Sequence, residues 1–233
     1  MPLAFETRHV GDVSVVRCRG RIVEGSESAA LERHVAEILP YEPYLLLHLA
    51  GVDFIDSSGL GLLVRLLART RNANGNLKLC AMSAKLDHVL GVTNLKPIFD
   101  TYTSEDEAIA AFYQPSDSPG AVVPKTSILC LEPSPDVLAY VRELLRQAGY
   151  APVTTTNVAD ALTLLKATRP TIVIVGNGMH VASDTGAADS FKRLLAGISV
   201  VELPAHFSTD DAGAAGRQLL DRVRAILPRG AAE

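Results

Sequence analysis

Closely spaced cysteines are missing from this chain. Cys18, Cys80 and Cys130 stand far apart in separate apolar, strand-like runs, which excludes the short spacings of metal sites and redox pairs and predicts buried thiols in a reducing compartment. Long apolar runs are missing too. None approaches the ~18 residues of a membrane span, and the N-terminus has no basic segment leading into an apolar one, so a soluble cytoplasmic protein with no membrane partner is expected. Positive charge is not in excess either: the formal net charge is -4, which argues against direct nucleic-acid binding. The six histidines show no metal-ligand spacing, and His48, inside an apolar strand, reads as a hydrogen-bonded core residue. Gly176-Asn177-Gly178 lacks the Lys-Ser/Thr ending of a phosphate-cradling loop. No Ser, His and Asp set can be assembled. No catalytic residue, metal site or cofactor is therefore expected, and the chain reads as a binding protein and not an enzyme.

What is present is a turn around which the first half is organised: Phe54-Ile55-Asp56-Ser57-Ser58-Gly59-Leu60-Gly61. Before it, Leu45-Leu46-Leu47-His48-Leu49 has the length and apolarity of a buried parallel strand. After it, Leu60 to Leu67 is apolar enough for a largely buried helix. The serines then sit at a helix N-terminus, where a hydroxyl caps free N–H groups and the helix dipole favours an anion, so a phosphate there is tolerated and alters what the surface offers a partner. The plain alternative is an ordinary serine-capped helix with Gly59 allowing close backbone approach. In that helix Leu60, Leu63, Val64 and Leu67 form one apolar face, while Leu62 and Leu66, interleaved with Arg65 and Arg69, lie on another. That second pair either docks a partner or is covered by a neighbouring element of the same chain.

At 233 residues and 48% hydrophobic, the chain suits one large or two ordinary domains. Strands are predicted over 5–9 and 13–19, joined by Gly11-Asp12. A helix opening at Ser26 or Ser28 carries Leu31, Val35, Ile38 and Leu39 and ends at Pro40. The central helix stops at Asn74-Gly75-Asn76. A strand over 77–82, a helical turn over 85–90, a short strand at 101–102 and a helix over 104–112, with Ser104 and Glu107 as capping box, complete the first half. This order predicts a mixed sheet with helices on one side. Residues 114–125, with three prolines, read as a linker. Beyond it strands over 128–131, 152–155, 171–175 and 200–205 alternate with helices, the first capped by Ser134-Pro135 and stopped by Gly149, the second capped by Asn157. The last carries Leu219, Leu220, Val223, Ile226 and Leu227. That alternation predicts a doubly wound sheet.

The Asp56 to Gly61 string resembles the phosphorylation motif of STAS-domain anti-sigma factor antagonists, Asp-Ser-(Ser/Thr)-Gly-Leu-Gly at a strand-to-helix turn, and the element order matches the STAS fold from about residue 3 to 113. One departure is Arg21-Ile22-Val23-Glu24-Gly25, where many members carry a Leu-Asp pair before the first helix. The resemblance implies that a partner kinase phosphorylates Ser57. It also implies a partner-binding surface at Asp56, Ser57, Ser58, Gly59, Leu60, Gly61, Leu62, Arg65 and Leu66. The second half is similar to a response-regulator receiver domain in Ile128-Leu129-Cys130-Leu131-Glu132-Pro133-Ser134-Pro135-Asp136 and Arg169-Pro170-Thr171-Ile172-Val173-Ile174. Yet Gly176 stands where the phosphoacceptor belongs, only Glu132 remains of the acidic pair, and Pro204 replaces the expected threonine. Glu132, Asp136 and Asp184 read as solvated carboxylates and a helix cap before a cation site. The expected organisation is an α/β chain: a STAS domain over 1–113, a linker over 114–125 and a shortened CheY-like (flavodoxin-like) pseudo-receiver over 126–233. The implied function is an anti-sigma factor antagonist in a partner-switching pathway that binds an anti-sigma factor serine kinase and is released when Ser57 is phosphorylated, regulating sigma-factor-dependent transcription. The alternative is a scaffold of both domains for protein assembly, with Ser57 unphosphorylated; homodimerisation stays open in either case.

Overall fold

Strand β1 (Ala4–Val10) turns straight back into β2 (Val13–Ile22), pairing antiparallel from Ala4↔Arg19 to Val10↔Val13. Gly11 supplies the positive φ (63°) that a two-residue hairpin loop with glycine first requires. The computed structural model describes residues 1–113, 127–176, 191, 193–204, 207 and 212–227, which fall into two units, Met1–Phe112 and Tyr113–Glu233.

In the first unit α1 (Ser26–Ile38) leads to the central strand β3 (Tyr44–Ile55), then α2 (Ser57–Asn72), β4 (Asn76–Cys80), α3 (Ala84–Val92), β5 (Asp100–Tyr102) and α4 (Glu105–Tyr113). The five strands lie in the order β1-β2-β3-β4-β5, with every pair after the hairpin parallel. This is the mixed sheet the sequence predicts. The central strand is longer than its apolar block, because past Leu49 it stays paired to β2 through Gly20↔Val52, Arg21↔Phe54 and Ile22↔Ile55 after a register shift. Irregularities at Leu49-Ala50 and at Asp53 carry the ladder on, where no alternation marks a strand. Helix α1 begins at Ser26 with Gly25 as its cap residue and no side-chain cap; Ser28 instead donates to Val23 O (2.5 Å). The 85–90 turn grows into a full helix because Ser83 caps it, accepting from Leu86 N.

Helices do not all lie on one side of this sheet. Leu45, Leu47, Leu49, Leu77 and Leu79 share a core with α1, α2 and α3. Side chains alternate across a strand, so Leu46, His48, Lys78 and Cys80 point the other way, and there α4 packs. Its Glu105 accepts hydrogen bonds from Arg8 and Arg17, its Phe112 ring lies 5.6 Å from Tyr44, and Lys78 Nζ sits 5.1 Å from the Phe112 ring. The capping box is present: Ser104 Oγ accepts from Glu107 N (3.2 Å) and the Glu107 carboxylate turns back onto Thr103 and the Ser104 backbone.

The buried face under α4 holds titratable groups. Burial pushes the Glu105 carboxyl up, but the Arg8 and Arg17 guanidinium groups outweigh it and hold it below the ordinary range. His48 is not hydrogen-bonded through its ring as the sequence suggested. Its Nε2 stands 3.9 Å from Glu105 Oε2, and its buried Nδ1 has no hydrogen-bond partner among the described residues. Burial and the Arg17 charge hold its pKa below 6.5. All three cysteines are free and buried, their thiols pushed up to about 12 by desolvation.

The second unit orders β6 (Ser127–Leu131), α5 (Pro135–Gln147), β7 (Ala151–Thr155), α6 (Val158–Thr168), β8 (Ile172–Val175), β9 (Ser199–Glu202) and α7 (Ala212–Ile226). Its four described strands are all parallel, in the order β7-β6-β8-β9. The caps fall where the sequence puts them: Ser134 Oγ accepts from Val137 N, Asn157 Oδ1 accepts from Asp160 N (2.9 Å), and Gly149 takes φ 86°. Helices α5 and α7 share one core with Ile128, Cys130, Ile172 and Ile174. The buried Ala161, Leu164 and Leu165 of α6 stand outside that cluster. The expected linker and Asp184 lie outside the described residues. No described helix is long and apolar enough to cross a membrane.

Candidate functional site

Asp56 is the hinge between β3 and α2. Its backbone N–H donates to Ile22 O at the end of β2 (3.3 Å), its carbonyl accepts the first helical bond from Leu60 N (2.9 Å), and its side chain caps the helix by accepting from Gly59 N (2.8 Å). The cap is thus the aspartate and not a serine. That assignment releases both hydroxyls. Ser57, the first helical residue, is exposed and its hydroxyl makes no hydrogen bond among the described residues, while Ser58 is half-buried. No acidic side chain occupies the first turn of α2, and Arg69 and Arg71 stand in its last. The positive end of the helix dipole is thus met by the Asp56 carboxylate itself, and a further anion at Ser57 would share that field with it.

The two glycines of the motif differ. A Cβ on Gly59 would stand 2.2 Å from Ile22 O and 2.7 Å from Ile55 Cγ1, so its bare backbone is what lets α2 start against β2. A Cβ on Gly61 would meet only Arg65 Nη1, at 3.3 Å. Of the other residues expected at a partner surface, Leu60 (8% exposed), Leu62 (1%) and Leu66 (0%) are buried in the unit's own core. The leftover apolar pair is covered by neighbouring elements, because α2 packs on both α1 and the sheet and needs a wider apolar stripe than one face. Arg65 is exposed, 3.4 Å from Glu32 Oε2, and Arg69 reaches the same carboxylate at 2.9 Å. The accessible part of the motif is therefore Asp56, Ser57, Ser58, Gly61 and Arg65.

One neighbour escaped the sequence reading. Phe54 is 37% exposed, with Arg21 Cζ 4.7 Å and Lys85 Nζ 5.8 Å from its ring centroid. Those three residues are 33 and 31 positions apart along the chain from Phe54 and come together only because Arg21 pairs in register with Phe54 and α3 packs beside the strand end. No local pattern announces them.

In the second unit Glu132 lies over Gly176. A Cβ at 176 would stand 1.6 Å from Glu132 Oε2, and Glu132 Oε1 is fixed by accepting from Ser134 N (3.0 Å). Among the described residues no group of three His, Cys, Asp or Glu side chains is placed to hold a metal.

Comparison with known proteins agrees with this geometry for the first unit. Residues 4–108 match the STAS domain family model. BtrV of Bordetella bronchiseptica, assigned as an anti-sigma factor antagonist, is 26% identical over 102 residues, which make up 43% of this chain and 88% of BtrV. Among solved structures, an anti-sigma factor antagonist from Mycobacterium paratuberculosis is 23% identical, with a TM-score of 0.44, covering 48% of this chain and 96% of that one. SpoIIAA of Bacillus in its phosphorylated form is 22% identical, with a TM-score of 0.39, covering 46% of this chain and 98% of that one. None of these reaches half of the chain. The match to the STAS domain lies within the first unit, over residues 4–108 of the 233.

Proposed function

We propose that this protein is an anti-sigma factor antagonist of the partner-switching kind. Unphosphorylated, its STAS domain binds an anti-sigma factor that is itself a serine kinase, and the sigma factor is freed; phosphorylation of Ser57 ends the complex. The observation that carries this reading is the state of Ser57: exposed, its hydroxyl free of hydrogen bonds among the described residues, and set at a helix N-terminus whose cap is already supplied by Asp56. A phosphate there needs no rearrangement of the fold. It adds roughly two negative charges beside Asp56, and like-charge repulsion with desolvation weakens an interface built on this turn. Because ~1.4 kcal/mol is tenfold in affinity, a few kcal/mol suffice for a switch.

The second unit, in this reading, is a shortened pseudo-receiver. Its strand order, counted within the unit, is 2-1-3-4, the flavodoxin-like order without a fifth strand among the described residues. Glu132 fills the space above Gly176 where an acceptor side chain would begin, so the unit serves binding and not phosphotransfer.

The test is intact-mass and peptide mass spectrometry after incubation with ATP, magnesium and the candidate anti-sigma kinases of the same genome. A single phosphate on Ser57, absent from Ser57→Ala, is expected. A protein that gains no phosphate from any of them, or a Ser57→Asp variant that binds the kinase as tightly as wild type, would remove the switch.

A further inference from the structure

Most cations of the STAS domain that flank its sheet and its α1–α2 face are already matched. Arg8 and Arg17 meet Glu105, Arg19 meets Glu6, Arg65 and Arg69 meet Glu32, Lys78 meets Asp100 and Lys96 meets Asp87. Arg21 and Lys85 differ. Both are exposed, neither has a carboxylate partner among the described residues, and both instead lie against the ring of Phe54. A single exposed phenylalanine is unremarkable in itself. This one is flanked from two other elements, by Arg21 at the end of β2 and Lys85 in the first turn of α3, whose cations lie 4.7 and 5.8 Å from its ring centroid. It also forms one wall of a groove lined by the apolar Val52, Ile55, Leu86 and Val89 together with Lys85, Ser83 and the exposed Asp53, whose carboxylate makes no ion pair with Arg21 or Lys85. Three residues after Phe54, on the same strand-to-helix turn, comes Ser57.

We infer that Arg21, Phe54 and Lys85 form a second recognition surface beside the phosphorylation turn, which takes an acidic segment of the partner kinase whose apolar side chain enters the groove against Phe54. Charge complementarity selects this occupant: two unmatched cations around an aromatic ring leave carboxylates as their natural partners, and a preorganised aromatic flanked by charge is the composition of an interface anchor. A basic or purely apolar partner leaves Arg21 and Lys85 uncompensated at the edge of the contact. The surface would also explain selectivity among kinases, since the Ser57 turn alone offers one hydroxyl and a helix end, whereas this patch demands a particular charge and shape. The inference rests on the partner-switching reading, because the occupant is the kinase that reads Ser57.

The test measures the affinity of the full chain for each purified candidate anti-sigma kinase, with Phe54→Ala, Arg21→Glu, Lys85→Glu and, as a control on the exposed side of α1, Arg33→Glu. Anchor loss predicts about tenfold or greater weakening for each of the first three, little change for Arg33→Glu, and a wild-type affinity that falls as salt rises. Lys85 and Arg21 are exposed, so the charge reversals decide the matter even where Phe54→Ala unfolds the domain. Wild-type binding that all three variants preserve within about twofold overturns this surface and leaves the Ser57 switch standing. Failure of the wild type to bind any candidate removes both.

Discussion

Replacing each motif glycine by alanine separates its structural from its surface role. At Gly59 the new methyl would stand 2.2 Å from Ile22 O and 3.0 Å from Ile22 C, both main-chain atoms that no rotamer change can move. Ordinary contact needs about 1 Å more, so α2 must lift off the end of β2. The same carbonyl accepts the Asp56 N–H at 3.3 Å, and lifting the helix lengthens that bond as well. Overpacking costs ~1–3 kcal/mol, a lost hydrogen bond ~1 kcal/mol, and alanine returns ~1 kcal/mol of helix propensity. The net expectation is destabilisation by about 1–3 kcal/mol. At Gly61 the propensity gain stands almost alone, because the tip of a flexible arginine is all that must yield, so the domain gains ~0.5–1 kcal/mol. With ~4–8 °C per kcal/mol for a domain near this size, calorimetry of the full chain should show the STAS transition falling by on the order of 10 °C in Gly59→Ala and rising by a few degrees in Gly61→Ala. Equal shifts in the two variants, or a neutral Gly59→Ala, would refute the claim that only the first glycine is demanded by packing.

Two further outcomes are expected. Stability of the STAS domain should fall on acidification in two stages. His48 has a folded pKa below 6.5, so the unfolded state binds the proton first and stability is lost as pH drops from about 6.5 toward the folded value. Glu105, held below 4.5, contributes stability that is complete above 4.5 and is lost below it. Thermal melts of His48→Gln should lose less than wild type between neutral pH and pH 5, and an unchanged slope would show that His48 is not the group responsible. In the second unit, Gly176→Ala should destabilise by ~1–2 kcal/mol, because the methyl displaces the Glu132 carboxylate from Ser134 N. Glu132→Ala in the same chain should recover much of that loss, and a double-mutant cycle on urea unfolding with no coupling would count against the steric account.

The sequence was informative where one residue type answers one local demand. Gly11 in the hairpin, Ser134 and Asn157 at helix starts, and the β-branched run of β8 each report their own structure. It was less so wherever tertiary partners decide. The strand-like extension of β3 past Leu49 depends on β2 holding it across a bulge. The burial of Leu62 and Leu66 depends on α2 being covered from two directions, which helical periodicity alone cannot distinguish from a docking face. Asp56 took the cap from the serines because an aspartate in extended geometry (φ -103°, ψ -175°) reaches the Gly59 amide directly. The placement of α4 on the far face follows from an ion cluster, Arg8, Arg17 and Glu105, whose members lie nearly a hundred residues apart in two cases.

That cap assignment bears on how the proposed phosphorylation switch would work. Were a serine the N-cap, phosphorylating it would exchange a neutral capping oxygen for a bulky dianion and disturb the helix start, so the switch would act through the fold. With Asp56 as cap and Gly59 locking the first turn onto Ile22, the helix start is fixed by residues that the modification does not touch. A phosphate on Ser57, as proposed, would then change only charge and shape at the surface and leave the domain folded in both states. The motif therefore divides in two. Asp56, Gly59, Leu60, Leu62 and Leu66 hold the turn, and Ser57, Gly61 and Arg65, joined by Phe54, Arg21 and Lys85 from outside the string, are the groups a partner can meet. A substitution in the first group should alter stability and binding together, whereas reversing the exposed charges of the second, Arg21 or Lys85, should alter binding alone.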